Sequence, residues 1–233
     1  MKQQKILIVL IPILCAVLAI FSYLKLVNTE TDAIKFKKEY ESLNGKSKDI
    51  SISSNNPIKY SSYDEVLDVI ENKTGIIYLG FPECPWCRTA IPVLFDVAKD
   101  NDIDTIYYLN ILNDRDSYTI EDGELKYALD DSGNEIKGTK EYFKLLDALD
   151  EYLSDYVITF DDKDYEVGEK RIYAPTMIFV KDGEVLGIHV STVESQESGN
   201  DKLTDEEYDE LYSIYEDFIL ELSNDTCPLD SSC

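Results

Sequence analysis

Cys84-Pro85-Trp86-Cys87 is the part of this chain best suited to do chemistry. It follows an apolar run, Gly75 to Gly80 (GIIYLG), by four residues and opens a stretch of helical pattern. At a helix start the unpaired amide N–H groups and the helix dipole favour a thiolate, the form of sulfur that acts as a nucleophile. With two residues between them in a first helical turn, the second sulfur can reach the first, so a disulfide can open and close without moving the backbone. Pro85 pre-sets the turn and Trp86 shields one side, and such dipeptides influence redox poise. In that chemistry Cys84 is the attacking sulfur and Cys87 resolves the mixed disulfide. Two blander readings stand beside it. A zinc knuckle would need two more ligands, and Cys227 and Cys233 are separated by five residues rather than two. A purely structural bond would close a loop too short to gain much stability.

Composition narrows the alternatives. The 233 residues carry 22 Lys+Arg against 47 Asp+Glu, a formal net charge of -25. Such a chain lacks the clustered basic residues that neutralise phosphates, which excludes general nucleic-acid binding. Hydrophobic residues make up 44% of the chain, enough to build a core. The single histidine, His189, rules out a His-rich metal centre; it follows the Lys181-Asp182-Gly183-Glu184 turn and is expected on a strand surface without catalytic work.

The elements that must position the cysteines read as follows. Ser62-Tyr63-Asp64-Glu65 has capping-box spacing, and Val66, Leu67, Val69 and Ile70 share a face, predicting a helix from Tyr63 to Asn72. Gly75 to Gly80 reads as a buried strand, Thr89 to Lys99 as helix and Ile103 to Leu112 as a second core strand, a β-α-β start. Residues 113–138 contain Asp122-Gly123 and Ser132-Gly133 turn signals and are expected to form an inserted hairpin. A helix opening at Thr139 places Tyr142, Leu145, Leu146, Leu149, Tyr152 and Leu153 on one face. Two extended segments, Val157 to Phe160 and Tyr165 to Ile172, precede a hairpin of Thr176 to Val180 and Val185 to Val190. A long helix then begins at a second capping box, Thr204 to Glu207, with Tyr208, Leu211, Tyr212, Tyr215, Phe218, Ile219 and Leu222 inward.

These residues resemble the thioredoxin superfamily. The stretch Tyr173-Ala174-Pro175-Thr176-Met177-Ile178-Phe179-Val180-Lys181-Asp182-Gly183 is similar to the segment in which a cis-proline precedes the fourth strand of a thioredoxin. Pro92, five residues after Cys87, stands where a proline kinks the active-site helix of that family. The resemblance covers roughly Pro57 to Leu222. It implies an α/β, thioredoxin-like fold, a central mixed sheet flanked by helices with the inserted hairpin added. It also implies that Pro175 abuts the two sulfurs and that Ala174 offers a backbone edge to an extended substrate. Two departures bear on the chemistry. The family's buried acid, six residues before the first cysteine, is Tyr78 here, and Glu83 replaces the Trp that often precedes that cysteine, so its charge is expected to oppose thiolate formation. Ala174 lies 62 positions beyond Leu112, far more than a thioredoxin uses. With the amino end described next, this makes the chain similar to bacteriocin-transport accessory proteins, membrane-anchored thioredoxin-like proteins of Gram-positive bacteria.

Ile6 to Leu24 is an uncharged run of 19 residues flanked by Lys2, Lys5 and Lys25, long enough to span a bilayer and without a convincing cleavage site. Residues 1–27 are therefore expected to form an uncleaved anchor, with a cleaved signal peptide as the competing reading and Cys15 as a buried apolar thiol. Residues 28–56, polar and weakly periodic, are expected to be a tether, 57–223 the domain and 224–233 a tail. The expected setting is a single-pass protein of the cell membrane with its domain on the extracytoplasmic side, where disulfides persist. Cys227 and Cys233 are then expected to close the tail as a second disulfide, with a relay of electrons to Cys84 and Cys87 as the competing reading. The activity expected is thiol-disulfide exchange on exported proteins or peptides, with no cofactor and no metal but with a partner that restores the pair's redox state. The competing function is a noncatalytic binding module that presents exported peptides.

Overall fold

The computed structural model describes residues 30–223. Its centre is a five-stranded mixed sheet built from β1 (Ile58–Tyr60), β2 (Gly75–Gly80), β3 (Ile106–Asn110), β8 (Thr176–Lys181) and β9 (Glu184–Val190), in the order β1-β3-β2-β8-β9. β1, β2 and β3 are parallel, whereas β8 runs antiparallel to β2 and β9 antiparallel to β8. Among the described residues five helices flank it: α1 (Asp32–Glu41), α2 (Tyr63–Asn72), α3 (Pro85–Asp100), α4 (Lys140–Ala148) and α5 (Asp205–Ser223). The mixed α/β arrangement is compatible with a thioredoxin-like fold.

The two-residue period of the strands divides the core into two layers. Ile76, Tyr78, Ile106, Tyr108, Met177 and Phe179 pack with Ile91 and Leu94 of α3 and Leu211 and Tyr215 of α5. The alternate residues Ile77, Leu79, Leu109 and Ile178 pack with Val66 and Val69 of α2 and Leu145 and Leu146 of α4. Burial on both faces is why β2 reads as an unbroken apolar run. Both capping boxes form: Ser62 and Glu65 bond reciprocally at α2, and Thr204 and Glu207 do so at α5.

Two hairpins stand outside the central sheet. β4 (Tyr118–Glu121) and β5 (Glu124–Tyr127) turn at Asp122 and Gly123, both with positive φ, as a two-residue hairpin turn demands. β6 (Ser154–Phe160) and β7 (Lys163–Arg171) turn at Asp161 and Asp162, again with positive φ.

The structure corrects two expectations. The tether is a tether over none of its described length beyond the first residues: α1 lies within it, and Phe36, Tyr40, Ile50 and Ile52 are buried in the core. Phe36 stacks on Tyr40 at 4.3 Å and meets Tyr108 edge-on at 4.9 Å. The sequence hides this because two aromatics one turn apart among lysines and glutamates make a weak periodic signal. Tyr152 does not share the inward face of α4, because the helix ends at Ala148 and a 3₁₀ turn (Asp150–Tyr152) leaves the ring exposed. Among the described residues no helix is long and apolar enough to cross a membrane. The run Ile6 to Leu24, Cys15 and the tail cysteines Cys227 and Cys233 lie outside the described residues.

Candidate active site

Cys84 is the N-cap of α3, with Pro85 in the first turn, where a missing N–H costs nothing. Its amide donates to the Phe81 carbonyl at 3.3 Å, and its sulfur accepts from the Cys87 amide at 3.3 Å. Both cysteines are free, buried thiols; Cys84 keeps 6% exposure and Cys87 none, so Cys84 lies nearer the surface. Pro92 lies inside α3, one turn beyond the pair's own turn.

Strand register brings the second segment to the same place. Leu79 is opposite Thr176 in the antiparallel β2–β8 pair, so the residues just before β8 fall beside the end of β2 where the cysteine loop begins. There the Ala174–Pro175 peptide is cis, and the Cys84 thiol donates to the Ala174 carbonyl at 3.3 Å. Cys84, Pro85, Trp86, Cys87, Ala174 and Pro175 thus form one site. A cavity of about 570 Å³ lined by Ser51, Asn56, Pro92, Phe95 and Lys99 touches neither sulfur. Among the described residues no cluster of His, Cys, Asp and Glu could hold a metal ion.

The two sulfurs are electrostatically unlike. Cys84 is pushed down to about 7, first by its hydrogen bond with the Cys87 thiol, against the opposing effect of burial, and further by the Cys87 and Trp86 amides and the charge of Arg115. Burial, reinforced by the neighbouring Cys84, holds Cys87 well above the usual thiol range. Near neutral pH Cys84 therefore carries a thiolate population, whereas Cys87 stays protonated. Glu83 is exposed and is not among the strongest influences on Cys84, since water screens a surface charge.

Several residues of the site carry no local sequence signal. Arg115, between β3 and β4, sets its guanidinium 4.8 Å from the Phe81 ring and within electrostatic reach of Cys84. Arg171, at the end of β7, is buried against Asp116 at 3.5 Å and over the Tyr156 ring. Arg88 is 1% exposed and binds neutral acceptors, donating to the carbonyls of Lys48, Tyr40 and Pro82 and to the Asn44 side chain. The chain's three arginines thus all lie in or beside this site. The Arg88 bonds fasten the segment after α1 to the active-site helix. On the same side, the Lys48 ammonium bonds the Thr89 hydroxyl and the Asp201 carbonyl, and Thr89 donates to the Gly199 carbonyl at 3.0 Å. The loop from β9 to α5 is thereby held over Trp86: a Cβ on Gly199 would lie 2.8 Å from the Trp86 amide nitrogen, so only glycine fits. His189 is half-buried rather than on the strand surface, edge-on to Tyr215 and donating from Nε2 to the Thr192 carbonyl.

The chain matches no protein-family model, no curated protein and no solved structure.

Proposed function

We propose that this protein is a thioredoxin-like thiol-disulfide oxidoreductase acting on disulfides or thiols of exported proteins or peptides, held to the cell membrane by its amino end. The observation that carries the reading is the unequal cysteine pair. A sulfur near the surface with a thiolate population near pH 7 sits at a helix start, against a backbone carbonyl and beside a more deeply buried, protonated thiol. In the reducing direction the Cys84 thiolate attacks a substrate disulfide, one substrate sulfur leaves as thiolate, and a mixed disulfide remains. Cys87 then attacks the Cys84 sulfur, the second substrate sulfur departs with the Cys87 proton, and the pair ends as a disulfide. Two electrons have passed to the substrate, and a dithiol partner must return them; in the oxidising direction the steps reverse. The Ala174 edge suits an extended peptide.

The test is insulin reduction by the full-length protein and its Cys84→Ser variant with dithiothreitol as electron source. Turnover abolished by the substitution is the expected result. Equal rates for the two proteins would overturn the reading and favour a noncatalytic module that presents exported peptides. Membrane fractionation of the full-length chain against one lacking residues 1–27 tests the anchor; equal partitioning would refute it.

A further inference from the structure

The resolving step puts negative charge on Cys87, which is fully buried. A thiolate forming at Cys87, fully excluded from water, is costly unless a donor faces it. The groups acting most strongly on Cys87 are Cys84, the Tyr78 hydroxyl and the Phe81 backbone, and none is a carboxylate.

A set of tyrosines stands there instead. Tyr78 extends from β2 into the same buried cluster as Cys87, and the two groups influence one another electrostatically. Its ring folds back along the strand over Gly80, where a Cβ would lie 2.3 Å from the hydroxyl oxygen, so this placement requires glycine. The Tyr78 and Tyr40 hydroxyl oxygens are 2.6 Å apart, both residues fully buried. Tyr108 stacks on Tyr78 with ring centroids 5.1 Å apart, and Tyr215 buries a hydroxyl that has no hydrogen-bond partner among the described residues. Burial keeps the Tyr78 and Tyr40 hydroxyls protonated well above the usual tyrosine range, so neither is a base; each has a proton to donate.

Resting on the dithiol reading above, we propose that Tyr78 is a catalytic residue of the resolving step. It donates a hydrogen bond to the Cys87 sulfur as that sulfur gains charge, and Tyr40 is the positioning residue that orients it. A buried carboxylate would serve Cys87 by accepting its proton; Tyr78 serves it by stabilising the sulfur after the proton goes. As the Cys87–Cys84 bond forms, the Cys84–substrate bond breaks and the electron pair leaves on the substrate sulfur. That sulfur takes up the proton Cys87 gave up, and no further reactant is required.

The experiment follows both halves of one turnover with 5,5′-dithiobis(2-nitrobenzoate), using full-length reduced protein carrying Cys15→Ala, Cys227→Ser and Cys233→Ser. Attack by Cys84 releases one coloured thiolate and resolution by Cys87 releases a second. Tyr78→Phe, which removes one oxygen from a filled site, is expected to leave the first phase unchanged. The second should slow by roughly 4- to 15-fold, because losing one hydrogen bond to a charged group raises its pH midpoint by about 1–2 units while the more basic thiolate is more nucleophilic. Tyr40→Phe should slow only the second phase and by less. Equal slowing of both phases, or none of either, would overturn the role of Tyr78. A wild type that releases no second thiolate would instead overturn the dithiol reading and this inference with it.

Discussion

Removing the Cys87 thiol should make Cys84 a more ordinary cysteine, and the structure sets the size of the change. The Cys87 hydrogen bond is the largest influence holding Cys84 at about 7. A hydrogen bond to a charged group contributes about 1.5–3 kcal/mol, which corresponds to roughly 1–2 pH units. In a Cys87→Ala variant the Cys84 midpoint should therefore rise to about 8 or above, with the Cys87 and Trp86 amides still donating. The rate at a single pH is a poor readout. At pH 7 a thiol titrating near 7 is half ionised and one near 8.5 only about 3% ionised, a 16-fold difference; the less basic thiolate is about 5-fold less nucleophilic, so roughly 3-fold survives. The midpoint is the sensitive quantity. Iodoacetamide labelling of the full-length protein across pH 5–10, quantified on the Cys84 peptide by mass spectrometry, measures it without interference from the other thiols. A wild-type midpoint near about 8.5, or one that stays near 7 in Cys87→Ala, would refute the account of the unequal pair.

Arg115→Ala should raise the same midpoint by less than Cys87→Ala, because its charge is the last of the leading influences on Cys84, whereas Arg115→Lys should restore most of the effect; titration by the same labelling decides it. A chain beginning at Pro57 should show no cooperative urea unfolding. It lacks Phe36, Ile50 and Ile52, whose burial contributes roughly 1.5–3 kcal/mol each, together a large share of the roughly 5–15 kcal/mol that holds a domain folded. A cooperative transition with the full-length midpoint would show that residues 30–56 are dispensable after all.

Features whose physics is local were legible in the residues. The helix Tyr63–Asn72 is announced by the Ser62/Glu65 box and one apolar face, and the β4–β5 turn by Asp122-Gly123. Burial on both faces marks β2. The Asp32–Glu41 helix was not legible, because its stability comes from Phe36 and Tyr40 packing on Tyr78 and Tyr108, residues far along the chain. The helix expected to carry Tyr152 inward failed for the converse reason: apolar spacing continues past Ala148, but the α-helix does not.

The residues by themselves determined that Cys84 and Cys87 share the first turn of one helix. Both cysteines fall within one turn of one helix, and helix-start geometry is dictated by the few amides that have no partner there. Tertiary structure decided what surrounds them. β2–β8 register brings Ala174 to Cys84, the connection after β3 delivers Arg115, and α1 places the Tyr40 hydroxyl against Tyr78 beneath Cys87. Each of these groups acts through space, over distances that chain spacing does not encode. The reactivity of a thiol depends on the donors and charges within a few ångströms of its sulfur, and only folding assembles those.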